Sequence, residues 1–186
     1  MADWAKSYCA HVEGKEASDL HKAYHDYQYG FPIEDDNELF GRLILEINQA
    51  GLNWTTILKK QDNFRAAYDQ FNIAKITAYS EKDRERLLSD AGIIRNKLKV
   101  NAAIHNAQVV QELQAEHGSF KAWILKQGDH PIEDWVKIFR KNFKFVGGEI
   151  VNEFLMSAGF IPGAHHPDCP FYKKALVALN ASSYRA

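Results

Sequence analysis

Asp35-Asp36-Asn37-Glu38 runs straight into Leu39, Phe40, Leu43, Ile44, Ile47 and Ala50, and this stretch decides the fold. Apolar residues at i, i+3 or i+4 and i+7 line one side of an α-helix, and the acidic residues before them cap its start. The same signals recur outward along the chain. Asn53 can cap a helix through Lys60, Asn72 one through Tyr79, and Ser80 with Asp83 three residues on forms a variant capping box for Ser80 to Asp90. Lys97 to His117 reads as a long helix ended by Gly118, and further helices are expected at Ser119 to Gln127, Ile132 to Lys141, Gly148 to Ala158 and Phe171 to Asn180. Alternating β-branched runs are absent, so the expected class is all-α: a compact helical bundle with short loops, one domain over residues 1–186.

Composition sets what such a bundle can do. In 186 residues, 23 Lys and Arg stand against 24 Asp and Glu, a formal charge of −1, so any nucleic-acid contact must come from a local basic face and not from bulk charge. With 46% hydrophobic and 12% aromatic residues the chain can build a core without disulfides. No apolar run approaches the roughly 20 residues of a membrane span. The opening Met1-Ala2-Asp3-Trp4-Ala5-Lys6 lacks a secretory signal's apolar stretch, so an intracellular protein without a membrane partner is expected. The two cysteines, Cys9 and Cys169, sit near opposite ends, and in a reducing compartment such a pair points to metal or redox chemistry before a structural disulfide.

One residue on the first helix is out of keeping with its surroundings. Glu46 falls three residues after Leu43, at the edge of the stripe expected to be buried. An ionised carboxyl there must pair with a cation, take up a proton, or face a cavity where a ligand satisfies it. Trp54 arrives after the short turn Asn48-Gln49-Ala50-Gly51-Leu52-Asn53, and an acid beside an indole suits a planar ligand that is cationic or hydrogen-bonding at its edge. The plainer readings are a structurally paired carboxylate and an ordinary core indole.

Further stretches extend the pattern: Tyr24-His25-Asp26, Leu45-Glu46, Gln49-Ala50-Gly51-Leu52-Asn53-Trp54, Ile57-Leu58-Lys59-Lys60, Ala91-Gly92-Ile93-Ile94-Arg95, Phe143-Lys144-Phe145-Val146-Gly147, and His165 followed four residues on by Cys169. In order and spacing the chain from Cys9 to Cys169 resembles the DNA-3-methyladenine glycosylase I family. The resemblance implies a helical glycosylase fold with a helix-hairpin-helix at about 132–158, and excision of 3-methyladenine from alkylated duplex DNA by a monomer, with the free base as product. It assigns the base-reading acid to Glu46, the stacking ring to Trp54 and a pocket tyrosine to Tyr24. The basic turn around Lys144, with Gly147 and Gly148, would meet a DNA phosphate. The family's structural Zn2+ site maps on Cys9, His25, His165 and Cys169, a closed tetrahedral donor set; on the residues alone His11, His21 and His166 are neighbouring alternatives.

The sequence also departs from the family. His11 occupies the position of a second base-binding tryptophan, and Gly148-Glu149 replaces small hydroxyl residues after the hairpin, bringing a carboxylate where a phosphate is expected. The segment between Cys9 and His25 is lengthened. No carboxylate follows the hairpin in Ile161-Pro162-Gly163-Ala164, and no lysine is placed as a Schiff-base nucleophile, so simple hydrolysis to an abasic site is expected. A non-catalytic DNA-structure-binding module on the same scaffold is the alternative, and a hydrolase with a catalytic metal at the Cys/His cluster is disfavoured by its full donor set.

Overall fold

A computed structural model describes residues 3–14 and 18–181, and among them every regular element is helical. After a 3-10 turn at Trp4–Lys6 come α1 (Tyr8–Glu13), α2 (Asp19–Tyr27), α3 (Asp36–Gln49), α4 (Trp54–Ala67), a 3-10 turn at Asp69–Phe71, α5 (Ile73–Thr77), α6 (Glu81–Ser89), α7 (Lys97–His117), α8 (Phe120–Gln127), α9 (Ile132–Asn142), α10 (Gly148–Ser157) and α11 (Tyr172–Ala181). No helix among the described residues is long and apolar enough to cross a membrane. The contacts divide the chain into two units, Glu34–Asn152 and the pair of segments Met1–Ile33 and Glu153–Ala186.

The larger unit is organised around α3. Asp35 caps it by accepting the Glu38 N–H at 3.0 Å. Every residue from Leu39 to Asn48 is buried, not only the predicted stripe, which takes Arg42 and Glu46 inside with the aliphatic residues. Helix α4 runs on past Lys60 to Ala67 because Phe64 and Ala67 continue the buried side begun by Ile57 and Leu58. Helix α5 stops at Thr77, short of the predicted Tyr79, whose hydroxyl instead reaches the Asp69 carboxylate at 2.5 Å. At α6 the reciprocal half of the capping box forms, with Asp83 Oδ2 accepting from the Ser80 N–H and hydroxyl at 2.9 and 2.8 Å.

Asp69, Gln70 and Phe71 are three consecutive non-glycine residues with φ of 50°, 60° and 57°. Left-handed backbone costs such residues of order 1 kcal/mol or more each, and burial of Phe71 offsets it. Its ring lies on Gly41 of α3, where an added Cβ would come within 2.3 Å of Cδ2. Helix α7 packs on α3, α5, α6 and α8. Asp36, at the start of α3, takes the N–H groups of Phe120 and Lys121 at 2.7 and 3.1 Å, so one carboxylate ties the first turns of α3 and α8 together.

The smaller unit holds α1, α2 and α11. Helices α1 and α2 lie outside the sequence prediction: they are short and rich in His and Tyr, so no apolar stripe announces them. Their Ser7 and Ser18 caps, accepting from the Ala10 and His21 N–H groups, were the available signal. Between them, residues 15–17 of the lengthened segment lie outside the described residues. Gly30 has φ +77°, and a Cβ there would sit 2.4 Å from that of Ala164, so only glycine admits this crossing of the chain.

Candidate functional site

In the smaller unit the fold gathers four donors from the two ends of the chain. Cys9 comes from α1, His25 from the last turn of α2, and His165 and Cys169 from the irregular segment before α11; all four are buried. Their donor atoms lie within 4.8 Å of one another. Cys9 Sγ is 3.9 Å from His165 Nδ1, and Cys169 Sγ is 3.6 Å from the same nitrogen and 3.7 Å from His25 Nε2. These separations suit a tetrahedron with bonds of about 2.3 Å to sulfur and about 2.0 Å to nitrogen.

What surrounds the quartet supports the fit. His25 Nδ1 is 2.7 Å from Asp26 Oδ1, and His165 Nε2 is 2.7 Å from the Tyr29 carbonyl. Each ring therefore has an oxygen at one nitrogen, which fixes the tautomer that turns the other nitrogen's lone pair to the cluster. The N–H groups of His166 and Phe171 donate to Cys9 and Cys169 sulfur at 3.3 and 3.4 Å, as suits thiolates. Burial pushes the Cys9 thiol up to about 11, with Cys169 adding to the rise, and burial lowers His165. A buried Cys9 thiol that resists ionisation is awkward beside a second sulfur and two imidazoles, and a divalent cation held by the four would resolve the conflict by taking it as a thiolate. Of the histidines left open by sequence spacing, His11, His21 and His166 stand outside the quartet.

In the larger unit, Glu46 lies on α3 with 4% of its surface exposed. Trp54 is the first residue of α4, half-buried, and Asn53 caps that helix by accepting the Thr56 N–H at 2.9 Å. Helices α3 and α4 pack together, so acid and indole stand on neighbouring elements joined only by the turn 50–53. Sequence reasoning missed two charged residues nearby. Arg42, also buried, lies one turn before Glu46 on the same side of α3. Lys99, 4% exposed on α7, donates to the Asn48 and Ala50 carbonyls at 2.8 Å each. The signal for both was a charge inside an apolar helical pattern, such as Lys99 with Val100, Ala103 and Ala107.

Tyr24 and His11 belong to the smaller unit. Tyr24 is 3% exposed on α2, its ring 6.2 Å from Tyr8 and 5.7 Å from Tyr29. His11 is exposed on α1, stacked on Tyr8 at 6.1 Å and edge-on to His21 at 5.1 Å.

Helix α9 is followed by the turn 143–147 and the start of α10. Phe143 and Val146 are buried and Lys144 is exposed. Phe145 takes φ +57°, and Asn106 of α7 holds Lys144 at both backbone groups, accepting its N–H at 2.8 Å and donating to its carbonyl at 3.1 Å. Arg140 Nε donates to the Val146 carbonyl at 3.3 Å. A Cβ on Gly147 or Gly148 would meet nothing within 4 Å, so no contact inside the described chain demands glycine at either place. Glu149 is exposed in the first turn of α10.

Solved structures share the helical fold. A crystal structure of 3-methyladenine DNA glycosylase I superposes with a TM-score of 0.75 at 34% identity, covering 82% of this chain and 94% of its own. A variant of 3-methyladenine DNA glycosylase I in complex with 3-methyladenine gives 0.77 at 30% identity, over 88% and 96%. The class is thus the all-helical fold of these DNA glycosylases. DNA-3-methyladenine glycosylase 1 of Escherichia coli K12 is 34% identical over 161 residues, 76% of this chain and 86% of that protein. The sequence profile described as methyladenine glycosylase matches residues 14–141, and the chain belongs to the methyladenine glycosylase family.

Proposed function

We propose that the chain is a monofunctional DNA glycosylase that flips 3-methyladenine out of alkylated duplex DNA and hydrolyses its N-glycosidic bond, leaving an abasic site and the free base. The observation that carries this reading is Glu46, a carboxylate buried on α3 next to the helix that Trp54 opens, in a chain of this family. A methylated adenine carries positive charge and leaves readily once extruded, so the protein's task is to unstack it and hold it. Glu46 accepts hydrogen bonds from the purine edge and favours its cationic state. Trp54 supplies the face on which the ring stacks. Tyr24 and His11 take base-binding roles by the family resemblance, with His11 covering less area than an indole.

The basic turn carries the backbone contact. Lys144 and the amides at Gly147 and Gly148 bind a phosphate at a helix-hairpin-helix, and the open space beside both glycines supports that assignment. Cys9, His25, His165 and Cys169 would hold one Zn2+, whose contribution is structural, a cross-link between the two chain ends with no coordination position left for water. The whole chain acts as one glycosylase domain, as a monomer, on intracellular DNA.

Release of 3-methyladenine from methylated duplex DNA, slowed about tenfold or more in Glu46→Gln, is the test, and a folded parent that releases no base refutes the reading. A second reading, a DNA-structure-binding module without excision, draws on Glu149, which opposes a phosphate at the α10 N-terminus. It requires binding to abasic-site duplex with no base release, and tighter binding in Glu149→Thr.

A further inference from the structure

Lys99 is a buried ammonium that the base and phosphate contacts do not use. Its Nζ donates to the Asn48 and Ala50 carbonyls at 2.8 Å each. These belong to the end of α3, where a helix leaves its carbonyls without partners and presents the negative end of its dipole. The same Nζ lies 5.8 Å from the centre of the Phe145 ring in the hairpin turn. Two helical turns further along α7, Asn106 is fully buried and grips Lys144 through both backbone groups. One side of α7 therefore touches the exit of the Glu46 helix and the DNA-facing turn at once. Burial alone does not explain a lysine: a methionine would fill similar space at less desolvation cost, so the ammonium's contribution is direction, with two donors aimed at two carbonyls.

We propose that Lys99 is a positioning residue for base excision, fixing the turn between Glu46 and Trp54 in register with the hairpin turn 143–147. It touches neither base nor phosphate. This rests on the glycosylase reading and deepens it: the base-reading turn and the phosphate-holding turn take their positions from one rigid helix. A displacement of the first relative to the second slows the step at the base, because excision depends on placement to within about 1 Å.

The test uses the full chain with Lys99→Met and Lys99→Arg, measuring single-turnover release of 3-methyladenine from duplex DNA beside duplex affinity and thermal melting. Lys99→Met is expected to lower the excision rate about tenfold or more with the duplex dissociation constant little changed, and Lys99→Arg, which keeps charge and donors, to recover most of the loss. Excision within about twofold of the parent, or a loss that only follows the folded fraction, overturns the proposal. Should Lys99→Met not fold, Phe145→Leu tests the other end at a partly exposed position: slower excision supports the brace and parent-like excision overturns it. Should the parent release no base, the glycosylase reading fails by itself, and hydrogen exchange decides the brace separately. Faster exchange of amides 49–53 in Lys99→Met, with α7 protection unchanged, supports it; parent-like exchange there overturns it.

Discussion

Exchanging Glu46 for glutamine keeps the shape of the side chain and removes its charge at a position only 4% exposed. If the carboxylate accepts hydrogen bonds from a cationic purine, the exchange weakens at least one charge-assisted bond worth about 1.5–3 kcal/mol. At about 1.4 kcal/mol per tenfold in rate, excision falls roughly 10- to 150-fold. The stability readout separates this from a structural role. Were Glu46 chiefly a member of a buried ion pair, removing its charge would strand a partner and cost about 3–5 kcal/mol of stability. A base-reading carboxylate shows instead as excision lost beyond any change in the folded fraction. The assay is single-turnover release of free base from methylated duplex, run beside urea unfolding of both proteins. Large destabilisation with unaltered excision by the folded fraction would refute the reasoning.

Elemental analysis should find one zinc per chain, and a strong chelator or Cys169→Ser should lower the melting temperature, since the donor set exists only in the folded chain. Acid should do the same: His165 titrates below its ordinary value when folded, so the unfolded chain binds more protons and stability falls as pH drops below about 6.5, with proton competition for the ligands adding to the loss; a melting temperature flat from pH 7 to pH 5 would contradict this. Gly41→Ala should destabilise by about 1–3 kcal/mol in urea unfolding, because the new methyl would come within 2.3 Å of the buried Phe71 ring and force it to shift. Lys144→Ala should weaken duplex binding for every sequence alike and reduce the slope of log K against log salt by about one, with excision of bound substrate little altered.

The larger unit was largely legible in the sequence because its helices announce themselves twice, by caps and by apolar period. Asp35, Asn53, Asn72, Ser119 and Gly118 sit at or beside the ends they signalled. In the smaller unit α11 was legible too, within one residue at each end, but α1 and α2 were not, because they are held by a ring cluster and the Cys/His quartet instead of an apolar stripe. The left-handed turn at Asp69–Phe71 was hidden for another reason. It contains no glycine, and only the space above Gly41, thirty residues earlier in the chain than Phe71, makes that backbone worthwhile. The quartet was named by resemblance, and spacing alone could not have chosen His25 and His165 over His11, His21 and His166. Asp26 and the Tyr29 carbonyl, which orient the two rings, make that choice in three dimensions. Lys99 was overlooked because a lysine in a long helix is ordinarily read as solvated, and here its stem and head are both enclosed.

The most direct measurement is the identity of what leaves the DNA. Methylated duplex incubated with a stoichiometric amount of the protein, and the free purines weighed by mass spectrometry, should yield 3-methyladenine and an abasic strand that stays uncut until treated with alkali. DNA that the folded protein binds but from which no methylated purine departs would contradict the central claim that Glu46 and Trp54 receive a damaged base.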